Sequence, residues 1–259
     1  MLIAVSSEGW CFLVDGISYI AVIASLLIMR IDVAPAMRKT SSTLTDMKAG
    51  WTYVSEFLPI RTILLLFALV SLMGMPFVVL MPVFAKTVLH GGPHTLGFLM
   101  GSMGTGALVS ALSLAARKDV RGLVKMIPLA AAVFGAGLIG FGLSHSFWLS
   151  MIMVFVAGMG MMQGMAASNT VIQTIVTDDM RGRVMSYYTM AFMGMAPFGS
   201  LLAGTMAHAF GAPVAVIVSG AVVLVGGAWF TSRLKAVRDA IRPIYRSMGI
   251  LPAEEGVQQ

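Results

Sequence analysis

The chain has 259 residues, 58% of them hydrophobic and 11% charged, and a mean hydropathy of +0.90. Soluble domains carry roughly a quarter charged residues, so this composition excludes an ordinary soluble fold. The formal charge of +6 does not point to nucleic acid, because the basic residues lie between apolar runs rather than in a patch on a polar domain.

A membrane-spanning helix with its connection takes roughly 30 to 40 residues, so the length admits six to eight spans. The first is expected from about Gly9 to Met29, interrupted only by Asp15. With no basic residue in 1–8, this run reads as a retained span rather than a secretory signal. Asp15 is a candidate intramembrane carboxylate, since ionisable groups inside spans are expensive and tend to be functional. Cys11 is the single cysteine; it has no intramolecular disulfide partner and no metal-ligand spacing around it.

Residues 30–61 form the longest polar connection. Within it Leu44, Met47, Trp51, Val54 and Leu58 recur at three and four residues, the stripe of an amphipathic helix, with Thr43 or Thr45 as N-cap. Trp51 and Tyr53 favour the headgroup region, so this helix is expected in the membrane interface, with a soluble docking helix as the alternative.

The second span, about Thr62 to Phe84, contains Pro76 and Pro82 and should bend or break in its second half. In the third, Thr95 to Ala116, Gly97, Gly101 and Gly104 are expected to let a neighbouring helix approach closely, with a substrate path as the alternative. The fourth is Met126 to Leu143 and the fifth about Phe147 to Val176. In the fifth, Gln163, Thr170, Gln173, Thr174 and Thr177 gather on one helical face, a candidate cavity wall or a set of interhelical hydrogen bonds.

A charged stretch, TDDMRGRV, follows, and it reads as a loop in which Gly182 permits a tight turn. Asp178, Asp179, Arg181 and Arg183 are candidates for a charge-paired gate. The plainer reading makes the arginines topology anchors and Asp179 a helix cap. The sixth span is about Ser186 to Met206 and the seventh Pro213 to Phe230, and a basic tail runs from Arg233 to the end. The expected fold is thus an all-α integral membrane bundle of seven transmembrane helices.

Seven spans divide the connections into two sets. One set holds sixteen of the seventeen Lys and Arg residues and the other holds only Lys86. The positive-inside rule makes the first set cytoplasmic, with the N-terminus outside the cytoplasm and the C-terminus within. His90, His94, His145 and His208 then all fall on the outer side, in a spacing that matches no metal-ligand motif. HExxH, GxxxxGK[ST] and GxSxG are absent from the sequence, which argues against an enzyme; no catalytic residue, metal or cofactor is expected.

The run TDDMRGRVMSYYTMAFMGMAPFGSLLAG resembles the connection and helix between the tenth and eleventh spans of major facilitator superfamily exporters, in the enterobactin-exporter-like (transmembrane secretion effector) group. EGWCFLVDGISYIAVIASLLIMR is similar to the sixth span of that group, and GFLMGSMGTGALVSAL to its eighth. A second family loop motif, Asp followed by Arg-x-Gly-Arg-Arg, is only partly present, as Arg117, Lys118, Asp119 and Arg121-Gly122.

The resemblance implies that the seven spans are spans 6–12 of a twelve-span facilitator. Residues 1–30 would be the last helix of its N-terminal half, 31–61 the central cytoplasmic loop, 62–232 the C-terminal six-helix half and 233–259 a basic cytoplasmic tail. It further implies proton-coupled export (antiport) of a small molecule, siderophore or drug-like, across a bacterial inner membrane. The partners would be the substrate, the lipid bilayer and a missing N-terminal half. The alternatives are a half-transporter subunit that assembles with a separate N-terminal half, or a truncated product that does not transport.

Overall fold

The computed structural model of the protein describes residues 8–29, 43–117 and 119–250; the side chains of 8–12, 14–15 and 43–44 fall outside that set. All regular structure among the described residues is helical. Hydrocarbon offers no partner for backbone N–H and C=O groups, and a helix satisfies them within one segment. The chain divides into two units after Ser42. The first contains helix α1, Glu8–Ile28, and the second is the helical body.

The body consists of α2 (Thr43–Glu56), α3 (Leu58–Leu69), α4 (Phe77–Thr87), α5 (Pro93–Ala115), α6 (Leu123–Leu143), α7 (Phe147–Ile175), α8 (Asp178–Met193), α9 (Ala196–Phe210) and α10 (Ala212–Ser247). Among the described residues, six segments are long and apolar enough to cross a membrane: 58–87, 93–115, 123–143, 147–175, 178–210 and 212–247. The expected first span is helical as α1, but its apolar stretch among the described residues is the shorter Gly16–Ile28. Six spans are therefore established by length and composition, and the seventh is not. The side chain of Asp15, the expected intramembrane carboxylate, lies outside the described residues, as does much of the connection after α1.

The break expected in the second span begins before its prolines. Val70–Gly74 is a π-helical turn, closed by Met75 N–H donating to the Val70 carbonyl at 3.1 Å, and a new helix starts after Pro76. Pro76 has no N–H to return to the preceding turn. A neighbour exploits the opening: a Cβ on Gly199 of α9 would lie 2.1 Å from the Leu72 carbonyl oxygen and 2.8 Å from the Pro76 ring. Only glycine permits that crossing. Pro82, by contrast, sits inside α4 without ending it.

Within the bundle α5 packs on α7, α7 on α6, α6 on α10, and α10 on α3. Phe84 against Phe141, with ring centroids 4.1 Å apart, and Phe77 against Phe134, at 6.0 Å, fill the core between α4 and α6. At the α6–α10 crossing, a Cβ on Gly135 would stand 2.7 Å from the Gly220 carbonyl oxygen, and one on Gly220 would stand 2.7 Å from that of Gly135.

Three expectations need correction. Gly97, Gly101 and Gly104 are not packing positions within the described body: no described residue lies within 4 Å of a Cβ built at any of them. Gly106 makes the α5–α7 contact instead, with the Phe155 carbonyl oxygen 2.1 Å from a built Cβ. The helix of the last expected span does not stop at Phe230, because α10 continues unbroken past Arg233 to Ser247. The charged stretch from Asp178 is no loop; it is the opening of α8.

The two kinds of glycine on α5 give a paired test. Gly106→Ala forces a methyl group into a neighbouring backbone and should cost about 1–3 kcal/mol, read as a lowered thermal midpoint in detergent. Gly101→Ala, which meets open space, should leave that midpoint unchanged or slightly raised.

Candidate functional site

Charged and polar groups gather at the end of the body where α7 stops and α8 begins. Thr177, extended at φ −65° and ψ 150°, is the N-cap residue of α8, so Asp178 and Asp179 occupy its first turn, where carboxylates oppose the positive end of the helix dipole. Gly182 is helical and makes no tight turn, contrary to expectation. Its position leaves Arg181 and Arg183 on different sides of α8.

Arg181 pairs with Asp178 one turn back, Nη2 to Oδ1 at 2.7 Å, and both side chains are largely exposed. Arg183 instead reaches across to α2, where Nη2 lies 2.5 Å from Asp46 Oδ1 with both groups about two-thirds buried. The Tyr187 hydroxyl, one turn on, donates to the Met47 carbonyl at 2.9 Å, and its ring meets Trp51 at 5.9 Å between centroids. Gly50 permits this approach: a Cβ there would stand 3.0 Å from the Tyr187 ring and 3.2 Å from Arg183 Cβ.

The amphipathic helix is thus docked on α8, and the face it buries differs from the expected stripe. Gly50 and Val54 are buried, Asp46, Tyr53 and Phe57 are half-buried, and Met47 and Trp51 are exposed. The side chain of Leu44 lies outside the described residues, and the pattern at 47, 51, 54 and 58 belongs to two surfaces. Protein takes one side, and Met47 and Trp51 are left to face the surroundings.

Below this junction, α8 is fixed to its neighbours by aromatic stacking. Phe67 of α3 lies between Tyr188 and Phe192, at 4.4 and 4.9 Å between centroids. The Tyr188 hydroxyl donates to the Met165 carbonyl of α7 at 3.1 Å, and the Ser71 hydroxyl in the π turn donates to the Phe192 carbonyl.

The polar stripe of α7 is brought together in part. Asn169, Thr170, Gln173 and Thr174 line an open hollow of about 450 Å³ with Arg181 at its edge; Gln163 does not line it. The Gln173 amide pairs with Asn169, whereas Thr170 and Thr174 donate back to the Ala166 and Thr170 carbonyls at 2.9 and 2.7 Å. The amides are therefore the groups in this hollow able to reorganise toward a ligand. Asn169 lies four residues before Gln173, a spacing that could have revealed it. Asp46 and Tyr187 carried no comparable local signal.

The model for the transmembrane secretion effector family matches residues 1–246. The chain belongs to this family of major facilitator transporters. It is also 22% identical over 202 residues to the uncharacterized MFS-type transporter YfmI of Bacillus subtilis (strain 168). That match covers 77% of this chain and 50% of the relative, so the chain spans about half the length of the curated relative it matches. Membership places the chain among multi-pass membrane proteins of the major facilitator superfamily.

In this facilitator chain the Asp46–Arg183 pair should act as a clasp for α2. Arg183→Gln and Asp46→Asn should each increase amide exchange across 43–56 several-fold, and combining them should add little. A coupling of about 0.5–1 kcal/mol, reduced by added salt, is expected from a double-mutant cycle.

Proposed function

We propose that the chain is the C-terminal part of a proton-coupled exporter of siderophore-like or drug-like molecules, working by alternating access in a bacterial inner membrane. The observation that carries this reading is the hollow on α7. It sets two amides, two hydroxyls and an arginine on a surface that the described protein leaves open, at one mouth of an apolar bundle. Polar side chains in spans ordinarily face a bundle interior or a wet cavity.

On this reading a second helical half closes over that surface, contributed by the same polypeptide or by a separate subunit. The exposed faces of α5, α8 and α9 favour such a partner; Phe98, Leu108, Met193, Phe198 and Leu201 are all more than two-fifths exposed. Asp178, Asp179, Arg181 and Arg183 then form the cytoplasmic gate, whose pairs are strong enough to bias one orientation and weak enough to exchange. Proton coupling draws on the family likeness. Asp15 is the carboxylate assigned to it, since no other acidic residue falls inside an expected span. The concentration of basic residues at the gate end supports a cytoplasmic placement of that end and of the C-terminus.

Two experiments test these assignments. In everted membrane vesicles carrying the transporter, a panel of lipophilic cations, macrolides and catecholate siderophores should include a compound that drives proton movement; silence across the panel refutes proton-coupled export of these classes. Gln173→Leu should lower that movement several-fold, whereas Thr170→Val and Thr174→Val, whose hydroxyls serve their own helix, should stay near the parent level. Separately, a thiol placed by Val120→Cys in a Cys11→Ser background should react with impermeant reagent only from the cytoplasmic side, and labelling from outside overturns the orientation.

A further inference from the structure

A second polar cavity lies at the same end of the body, away from the α7 hollow. It is about 430 Å³ in volume and is walled by the opening of α6 and the far end of α10. Four cations line it, Arg121, Lys125, Arg238 and Arg242, against one carboxylate, Asp239. Like charges do not collect around a cavity without cost, and here the fold takes specific steps to collect them.

Gly122 adopts φ 83°, a left-handed conformation that suits glycine, and this turns the chain so that Arg121 and Lys125 reach the same space. Arg121 is held in place from both sides. Its backbone N–H and Nε meet the Asp119 carboxylate at 2.9 and 3.2 Å, and its guanidinium donates to the Ile250 carbonyl. On α10, Arg238, Arg242 and Tyr245 share one face at four- and three-residue spacing. The side chains of Lys125, Arg238 and Arg242 have no ion-pair or hydrogen-bond partner among the described residues.

Tyr245 supplies the independent sign of a ligand. It lines the cavity, is only 6% exposed, and its hydroxyl is buried without a hydrogen-bond partner among the described residues. A buried hydroxyl left unsatisfied is destabilising, so its place on the wall of a cationic cavity calls for an acceptor. A phosphate offers several acceptor oxygens and the matching charge.

We propose that this cavity binds a phosphate group, with Lys125, Arg238 and Arg242 pairing its oxygens and the Tyr245 hydroxyl donating one further hydrogen bond. The phosphate belongs to an anionic phospholipid headgroup or to a free phosphate compound. Both share the chemistry the cavity recognises, and a position at the end of a membrane bundle suits the lipid. The site goes beyond the transport reading and does not depend on it.

Thermal unfolding of the full chain, purified in a neutral detergent, tests the proposal. Phosphatidylglycerol is added in one arm, phosphatidylcholine in a second, and inorganic phosphate in a third against chloride at equal ionic strength. A ligand that binds only the folded state raises the midpoint. Phosphatidylglycerol or inorganic phosphate should raise it by several degrees while the controls do not. A shift with phosphatidylglycerol alone assigns a lipid headgroup, and one reproduced by inorganic phosphate assigns a free phosphate compound.

Arg238→Gln with Arg242→Gln should leave the ligand-free midpoint unchanged and raise the ligand concentration for half-maximal shift by about tenfold or more. Tyr245→Phe should raise it several-fold. Equal responses to phosphatidylglycerol and phosphatidylcholine, with none to phosphate, overturn the proposal. So does a double variant that responds like the parent.

Discussion

Hydrocarbon supplies no hydrogen-bond partners, and the rest of this structure follows from that constraint. Each span must satisfy its own backbone, so the described residues form helices and nothing else regular. Lipid is as apolar as the side chains, so helices gain little by burying leucine against leucine and associate through close contact instead. Gly135 with Gly220, Gly106 with Phe155, Gly158 with Met103, and Gly199 with the opened turn at Leu72 are points where backbones come close. The π turn at Val70–Gly74 would be costly if it faced lipid. Ser71 reaching to Phe192, and Gly199 packed over the proline, keep it within protein.

The same constraint drives charge to the ends of the bundle, where each pair is weakened by water. Arg181 with Asp178 is largely exposed, and Arg183 with Asp46 is only partly buried, so neither approaches the strength of an ion pair in a core. A contact of about 1 kcal/mol changes a two-state population roughly five-fold, which suits an element that has to release. The two arginines of the RGR run therefore differ in what they hold. Arg181 stays on its own helix beside the polar hollow, and Arg183 ties α8 to the amphipathic helix.

Hydropathy made the spans readable in the sequence, because a run of about twenty apolar residues has few uses other than crossing a membrane. The bounds of α5, α6 and α7 fall within about three residues of expectation. What failed needed information from a distant segment. Gly97, Gly101 and Gly104 have the spacing of a packing face, yet only the position of α7 determines that Gly106 is the residue in contact. Charge was mistaken for a boundary at both Asp178 and Arg233. A helix continues through charged residues wherever it leaves the hydrocarbon, and hydropathy alone marks the exit from the membrane rather than the end of the helix. Asp46 was legible only as a polar position on an amphipathic helix, since its partner lies 137 residues away.

The length of α10 has a mechanical consequence. Thirty-six residues at 1.5 Å each span about 54 Å, against a hydrocarbon core of ~30 Å, so a substantial part of the helix extends beyond the core. That part carries Arg238, Arg242 and Tyr245, while the apolar part of the same helix packs on α6 and α3. Pro243 removes one backbone donor there, but the helix continues past it, and Arg121 meets it from the α6 side by bonding the Ile250 carbonyl just beyond its end. The cationic cavity is therefore carried on the same continuous helix that anchors the middle of the bundle. The α2 clasp belongs to α8, a different helix. Any motion that shifts α8 relative to α10 would move the clasp and the cavity independently, so a ligand in the cavity would steady the α6–α10 pair without bearing on the Asp46–Arg183 contact.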